Sequence, residues 1–268
     1  MPKFAANLST LFTEHPFLER FARAREAGFS AVEFQFPYDF DAPAIATELD
    51  RHRLELVLFN LPAGDFAAGD RGMANDPSRT TDFRASLEMA LLYAAELSPH
   101  KLNCLVGKTL VEISLEEQMA TLESNLRIAA DATAAVGIRL VVEPLNVYDA
   151  PGFFLSTPMS GFDLVERVNH PNLAVQYDLY HAQRMTGNLV ATMSRHIAQI
   201  GHIQLADSPD RHQPGSGEIN FPYVLQKLDD LGYKDWIGLE YFPSTTTEES
   251  LVWLPEMGYW PSEQVSRS

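Results

Sequence analysis

The sequence predicts an α/β protein, a single (β/α)8 barrel formed by residues 1–268. Short apolar segments rich in β-branched and aromatic residues alternate with longer amphipathic segments, which is typical of a parallel sheet with crossover helices. The length of 268 residues suits this barrel as one domain. No linker, low-complexity tract or shift in composition divides the chain.

Eight segments are predicted strands. They are residues 3–8, 31–36, 54–61, 101–107, 139–146, 173–180, 201–207 and 236–242. The Pro/Gly-rich stretches 61–72, 148–158 and 208–217 follow strands, so we expect them to form loops at the end of the barrel where active sites lie.

Polar residues and glycines mark the ends of the predicted helices. Ser114, with Glu117 three residues later, has the form of a capping box, and Thr246 with Glu249 offers a second helix start. Three glycines are expected to end helices, and each is followed by an apolar strand that leads to a glutamate: Gly28, Gly137 and Gly232. This repeated sequence pattern is expected of a fold built from similar βα units.

Composition disfavours several classes of protein. Cys104 is the only cysteine, which excludes an internal disulfide framework and a thiolate zinc cluster. The formal net charge of −16 disfavours a nucleic-acid partner. The N-terminus is unlike a secretory signal, and no apolar run approaches the roughly 20 residues that span a bilayer. We therefore expect a cytoplasmic protein without a membrane partner.

Four oxygen-bearing side chains stand near the ends of the last four predicted strands. They are Glu143, Asp178, Gln204 and Glu240. In this fold, residues at those ends point into the reaction site, and clustered acids in apolar strands are costly unless a cation binds them. Hard oxygen ligands suit Mg²⁺ or Mn²⁺ better than Zn²⁺. The sequence therefore predicts a divalent-metal centre.

Six motifs resemble those of hydroxypyruvate isomerases, within the xylose-isomerase-like barrel superfamily. They are FAANLS (4–9), GFSAVEF (28–34), NLPAGD (60–65), NCLVGK (103–108), QYDLYH (176–181) and GEIN (217–220). The resemblance covers nearly the whole chain. Closely similar proteins isomerise 2-oxo-tetronates, so the motifs indicate the fold and reaction type more specifically than the substrate.

The resemblance implies roles for individual residues. Glu143 and Glu240 match the pair that contacts the metal and exchanges protons with the substrate, and Asp178 and Gln204 match the other two ligands. In related ketose 3-epimerases a histidine takes the place of Gln204. Substrate contacts in those epimerases match three further positions: His181, Arg211 and Asp149.

The implied reaction is the isomerisation of hydroxypyruvate to 2-hydroxy-3-oxopropanoate (tartronate semialdehyde) through an enediolate. It requires removal of a proton beside a carbonyl and return of one to the neighbouring carbon, work suited to two carboxylates and a dication. Arg71 and Lys108 follow the third and fourth strands, where either is expected to neutralise the substrate carboxylate or to remain a solvated loop cation. Glu33 and His202 are interpreted as supporting residues of the barrel interior.

Alternative functions remain open at this point. A 2-oxo-tetronate isomerase or a ketose 3-epimerase would use the same mechanism. A metal-dependent endonuclease on the same barrel would need more histidine ligands and a basic groove, and a non-catalytic sugar-binding barrel would not need both glutamates. The aromatic residues Trp253, Tyr259 and Trp260 are compatible either with a homo-oligomer contact or with burial in one chain.

Overall fold

The computed structural model describes residues 1–260, so residues 261–268 of the predicted domain lie outside the described range. All strands are parallel. Their bounds are β1 Lys3–Asn7, β2 Ala31–Glu33, β3 Glu55–Leu56, β4 Leu58–Asn60, β5 Lys101–Cys104, β6 Arg139–Val142, β7 Leu173–Asp178, β8 Ile200–Leu205 and β9 Trp236–Leu239. Their order in the sheet is β3-β2-β1-β9-β8-β7-β6-β5-β4.

The segments β3 and β4 form one barrel strand, which is interrupted only at Val57. Val57 still donates its backbone N–H to Val32 at 2.8 Å, and Asn60 donates to Gln35 at 2.8 Å. The β3–β4 strand therefore pairs with β2 on one side and with β5 on the other, which closes the sheet. The prediction of an eight-stranded barrel is confirmed.

Helices cover the outside of the barrel, and their predicted starts are confirmed. Ser114 accepts a hydrogen bond from the backbone of Glu117, and Thr246 accepts one from Glu249. The helices are α1 Arg20–Glu26, α2 Ala42–His52, α3 Thr80–Leu97, α4 Leu115–Ala135, α5 Pro158–Val168, α6 Leu179–Met185, α7 Leu189–His196, α8 Phe221–Asp230, α9 Thr247–Ser250 and α10 Trp253–Glu256. Short 3₁₀ turns lie at Phe17–Glu19, Pro77–Arg79 and Ile197–Gln199. No helix within residues 1–260 combines the length and apolarity needed to cross a bilayer.

The C-terminal aromatic residues pack within the chain. Trp253 and Tyr259 both meet the ring of Phe4 edge to face, at centroid distances of 5.4 and 5.2 Å. Trp260 packs against Phe29 at 4.7 Å. These contacts cover the side of the barrel where the first and last strands pair.

Candidate active site

A cavity of about 180 Å³ opens at the end of the barrel where the strands finish. Both glutamates that the sequence singles out line it. The full lining is Gln35, Phe36, Asn60, Phe66, Arg71, Leu105, Glu143, Leu145, Asp149, Ala150, His181, Arg211 and Glu240. The cavity therefore brings together six of the predicted site residues, from loops far apart in the chain.

The register of β7 and β8 places Asp178 beside Gln204. A shift between Val175 and Gln176 offsets the two strands, after which Asp178 pairs with Gln204. Asp178 also begins α6, because its Oδ1 accepts the backbone N–H groups of Tyr180 and His181. One carboxylate oxygen is thereby committed to the helix cap, and the other stays available to the site.

Four buried side-chain oxygens of this region receive no hydrogen bond from the described part of the chain. They are Asn103 Oδ1, Glu143 Oε1, Gln176 Oε1 and Asp178 Oδ2. Buried acceptors without donors are costly and need an explanation. Glu143, Asp178 and His181 can each offer one ligand atom within 4.8 Å of the others. An oxygen-rich set of this kind fits a hard divalent cation.

The carboxylates are held in an environment that opposes their charge. Burial raises the pKa of Glu143 well above its ordinary value, and the neighbouring Glu240 and Asp178 raise it further. Burial also raises the pKa of Asp178 to about 7, although Arg211 opposes this shift. Burial raises the pKa of Glu240 too, again against Arg211. A bound cation would relieve this repulsion.

His181 points its Nε2 between two carboxylates, at 3.9 Å from Glu143 and 3.8 Å from Asp178. Its Nδ1 lies 3.2 Å from the backbone N–H of Asn146, which can only donate. Nδ1 must therefore accept, and in the neutral ring Nε2 carries the proton. Burial and Arg211 lower the pKa of His181 well below its ordinary value, which favours that neutral ring. His181 is thus built to donate a hydrogen bond into the cavity.

Arg211 is fixed against the opposite wall. Its Nη2 donates to Glu240 Oε2 at 2.6 Å and lies 3.7 Å from Asp178. The Arg211 loop is tied down by Asp207, whose carboxylate accepts four backbone N–H groups, those of residues 208, 215, 217 and 219. The carboxylate of Asp207 thus organises this loop.

The other predicted ligands are engaged by protein groups. Glu240 Oε1 accepts from Asn7 at 3.1 Å and Gln35 at 3.0 Å. Gln204 Oε1 accepts from Gln176 at 2.6 Å. The assignment of Glu143, Asp178, Gln204 and Glu240 as one ligand set stays a prediction.

Two predicted substrate cations differ in position. Arg71 lines the cavity, with its guanidinium 3.8 Å from the ring centroid of Phe66. Lys108 is absent from the cavity lining, and its backbone pairs with Phe153. Asp149 lines the cavity and accepts a hydrogen bond from Asn146 at 3.0 Å.

Sequence reasoning missed a set of amide side chains that surround the acids. They are Asn7, Gln35, Asn60, Asn103 and Gln176. A usable signal existed for Gln176, which precedes Asp178 by two residues and therefore shares its face of the strand. Amides also occur at the ends of β1, β4 and β5, where this fold collects functional residues.

Known proteins resemble this chain over nearly its whole length. Residues 21–257 match the family model described as xylose isomerase-like TIM barrel. The chain is 47% identical to a hydroxypyruvate isomerase from Escherichia coli, covering 95% of this chain and 98% of that protein. It is 44% identical to a 2-oxo-tetronate isomerase from Cupriavidus necator, covering 96% of this chain and 100% of that protein.

A solved structure from Brucella melitensis, described as AP endonuclease, family 2, superposes with a TM-score of 0.93 at 48% identity, covering 96% of this chain and 99% of that one. The curated relatives confirm the prediction of an enzyme of the isomerase class. With a family match over most of its length and such relatives, the chain belongs to the xylose isomerase-like TIM barrel family.

Proposed function

We propose that this enzyme isomerises hydroxypyruvate to 2-hydroxy-3-oxopropanoate with the help of Mg²⁺ or Mn²⁺. One observation carries the proposal: Glu143 and Glu240 line the same small cavity, next to buried carboxylate oxygens that receive no hydrogen bond from residues 1–260. Two carboxylates beside a cation-binding group of oxygens are what proton transfer between neighbouring carbons requires.

The cation would be held by Glu143, Asp178, Gln204 and Glu240. Glu143 Oε1 and Asp178 Oδ2, which accept no hydrogen bond within the described residues, support this assignment for two of the four. The cation supplies stabilisation for the negative charge that develops on the two adjacent substrate oxygens. Because His181 has its proton on Nε2, we assign it to donate to a substrate oxygen rather than to ligate the metal.

Glu143 and Glu240 carry out the proton transfers. One takes a proton from C3 of hydroxypyruvate, which gives the enediolate, and the other returns a proton to C2. The proton of the C3 hydroxyl group moves to the oxygen on C2. Glu240 is kept in place by hydrogen bonds from Asn7, Gln35 and Arg211. Donors on both oxygens hold its carboxylate in one orientation.

Arg71 supports an acid rather than a neutral sugar as substrate. Arg211 is already paired with Glu240. Within residues 1–260 no carboxylate forms an ion pair with Arg71, and only backbone carbonyls accept from it. Stacking on Phe66 fixes the plane of its guanidinium, which suits two parallel hydrogen bonds to a substrate carboxylate.

Exchange of deuterium from solvent into hydroxypyruvate tests the mechanism. Glu143→Gln and Glu240→Gln should each slow exchange and turnover by about 100- to 10,000-fold, the usual contribution of a general acid or base. The exposed Glu166→Gln is the matched control. Exchange at the wild-type rate in both site variants, or full turnover after exhaustive chelation, would refute the proposal. Absence of catalysed exchange in the wild-type protein would instead support a sugar-binding barrel.

The same assay separates the substrate alternatives. Hydroxypyruvate, a 2-oxo-tetronate and a neutral ketose are compared at equal Mn²⁺ concentration. The highest kcat/KM should belong to hydroxypyruvate, and a higher value for the four-carbon acid or the ketose would favour an oxo-tetronate isomerase or a 3-epimerase.

The description of the Brucella melitensis relative calls for a test of endonuclease activity. The formal net charge of −16 opposes binding to a phosphate backbone. The candidate group contains one histidine among carboxylates, whereas that chemistry favours several histidine ligands. We expect no cleavage of DNA that contains an abasic site, with Mn²⁺ present, and cleavage would replace the isomerase proposal.

A further inference from the structure

A directed chain of buried hydrogen bonds runs through the barrel beneath the site. Lys101 Nζ lies 2.7 Å from Asp235 Oδ2 and 3.3 Å from His202 Nδ1. Because an ammonium group only donates, His202 Nδ1 accepts and its Nε2 carries the proton. His202 Nε2 then donates to Glu33 Oε2 at 2.7 Å. This series of hydrogen bonds ends at the carboxylate of Glu33, which is fully buried.

The other oxygen of Glu33 accepts hydrogen bonds from two amide side chains. Glu33 Oε1 accepts from Gln204 Nε2 at 2.6 Å and from Asn7 Nδ2 at 3.0 Å. The Nδ2 of Asn7 also donates to Glu240 Oε1. Glu33 therefore contacts one predicted ligand directly and reaches a second through a single amide.

Space for this carboxylate is made by a neighbouring strand. Gly238, on β9, pairs with Gln204, and a Cβ at Gly238 would overlap the carboxylate of Glu33. The backbone of Gly238 does not adopt a positive φ, so steric room explains the glycine. Residues of three strands, β2, β8 and β9, thus fix the position of the Glu33 carboxylate.

The direction of the Gln204 amide is decided at its Glu33 end. A carboxylate can only accept, so Nε2 must face Glu33 and Oε1 must face away from it. Gln176, on the other side, has an amide that can donate or accept, and it cannot impose a direction by itself. Only the oxygen end of an amide can bind a hard cation.

We infer that Glu33 is a positioning residue that turns the oxygen of Gln204 away from itself and toward β7, the strand of Asp178, with Lys101 and His202 holding the Glu33 carboxylate in place. On that side Gln204 Oε1 accepts from Gln176 Nε2 at 2.6 Å, and its second lone pair would serve the cation. The inference rests on the proposed metal site. A buried carboxylate is costly without partners, and the donors from His202, Asn7 and Gln204 compensate it.

The test measures Mn²⁺ binding to chelated protein by electron paramagnetic resonance, without substrate. Glu33→Gln removes the carboxylate that fixes the Gln204 amide, and the Gln204 oxygen can then be held at residue 33 by the new amide N–H, so Mn²⁺ should bind about 10- to 100-fold more weakly, as is usual when a partner of a metal ligand is lost. The kcat at saturating Mn²⁺ should change much less. Glu166→Gln is the control, and the melting temperature reports folding. Wild-type affinity in a folded Glu33→Gln protein would overturn the inference.

A swapped variant provides a second, independent readout. In the double variant Glu33→Gln, Gln204→Glu, both atoms at the end of residue 204 are oxygens, so its orientation no longer matters. Mn²⁺ affinity should return to within about threefold of wild type. Affinity still more than about tenfold below wild type would overturn the inference, even if Glu33→Gln alone does not fold. Failure of the wild-type protein to bind Mn²⁺ would instead refute the proposed metal site.

Discussion

Arg211 and Glu240 form a partly buried ion pair at the mouth of the barrel, with Nη2 and Oε2 2.6 Å apart. The same guanidinium lies 3.7 Å from Asp178 and 3.9 Å from Asp149. Arg211 has a backbone φ of 60°, and the Asp207-centred loop keeps it in that conformation. One cation therefore links a predicted proton-transfer residue to a predicted metal ligand.

Replacing Arg211 by lysine should impair the reaction although the charge is kept. A lysine cannot span Glu240, Asp178 and the substrate, because it lacks the planar fork of the guanidinium. Loss of one charge-assisted hydrogen bond, about 1.5 to 3 kcal/mol, corresponds to about a 10- to 100-fold fall in kcat/KM. Steady-state kinetics on hydroxypyruvate measure this. Arg184→Lys, on a neighbouring helix, is the control, and equal kinetics in both variants would contradict the prediction.

Arg71→Gln should alter substrate selection rather than the chemical step. The KM for hydroxypyruvate should rise about 10- to 100-fold through loss of a charged hydrogen bond to its carboxylate. Turnover of dihydroxyacetone, a neutral analogue with a hydroxymethyl group in place of the carboxylate, should stay the same. Lys108→Gln is the comparison, since Lys108 lies outside the cavity lining. A similar loss of activity on both compounds would show that Arg71 does not bind the substrate carboxylate.

The stability of the chelated protein should fall as pH rises from about 4 to about 7. The pKa of Asp178 is raised to about 7 by burial, whereas an unfolded aspartate titrates near 3.9. Between these values the folded chain retains a proton that the unfolded chain has released, so increasing pH favours unfolding. Melting temperatures at pH 5, 6 and 8 test this.

One addition and one variant sharpen that experiment. Added Mn²⁺ should largely remove the loss of stability, because a dication favours the charged carboxylates. Asp178→Asn should flatten the decline in the chelated protein. A melting temperature that rises over this range in chelator would be inconsistent with the raised pKa.

Gly238→Ala should destabilise the barrel and disturb the metal centre together. The added methyl group would overlap the Glu33 carboxylate, and overpacking of this kind typically costs about 1 to 3 kcal/mol. Gly137→Ala is an informative contrast, because no atom lies within 4 Å of its Cβ position and its φ is 74°. That variant should lose stability through backbone strain while Mn²⁺ affinity is kept. Urea unfolding and Mn²⁺ titration of both proteins separate the two effects.

Much of the fold was predictable because its signals are local. Ser114 and Thr246 begin helices through contacts with residues three positions later, and short apolar runs rich in β-branched and aromatic residues mark the strands. The ends of consecutive parallel strands meet at one end of a barrel, which is why Glu143 and Glu240 could be assigned to one site from sequence.

Contacts across the barrel interior were harder to predict from the sequence. Glu33 was interpreted as a supporting residue of the barrel interior, and the structure gives it a specific partner, Gln204 Nε2 at 2.6 Å. The sequence could not name this partner, because contacts inside a closed barrel join strands that are not neighbours in the sheet. Likewise, Arg71 and Lys108 were equivalent in sequence, and only the folded loops placed one in the cavity.

The amino-acid sequence by itself determined the barrel, the family and the acids at the strand ends, because these follow from local periodicity and from motif spacing. The tertiary structure decided which oxygen atoms of those side chains are used in hydrogen bonds within the protein and which remain available to bind a ligand. Asp178 uses one oxygen to cap a helix, and Glu33 fixes the direction of the Gln204 amide. Such pairings depend on angles and distances between strands brought together by closure, which no local pattern encodes.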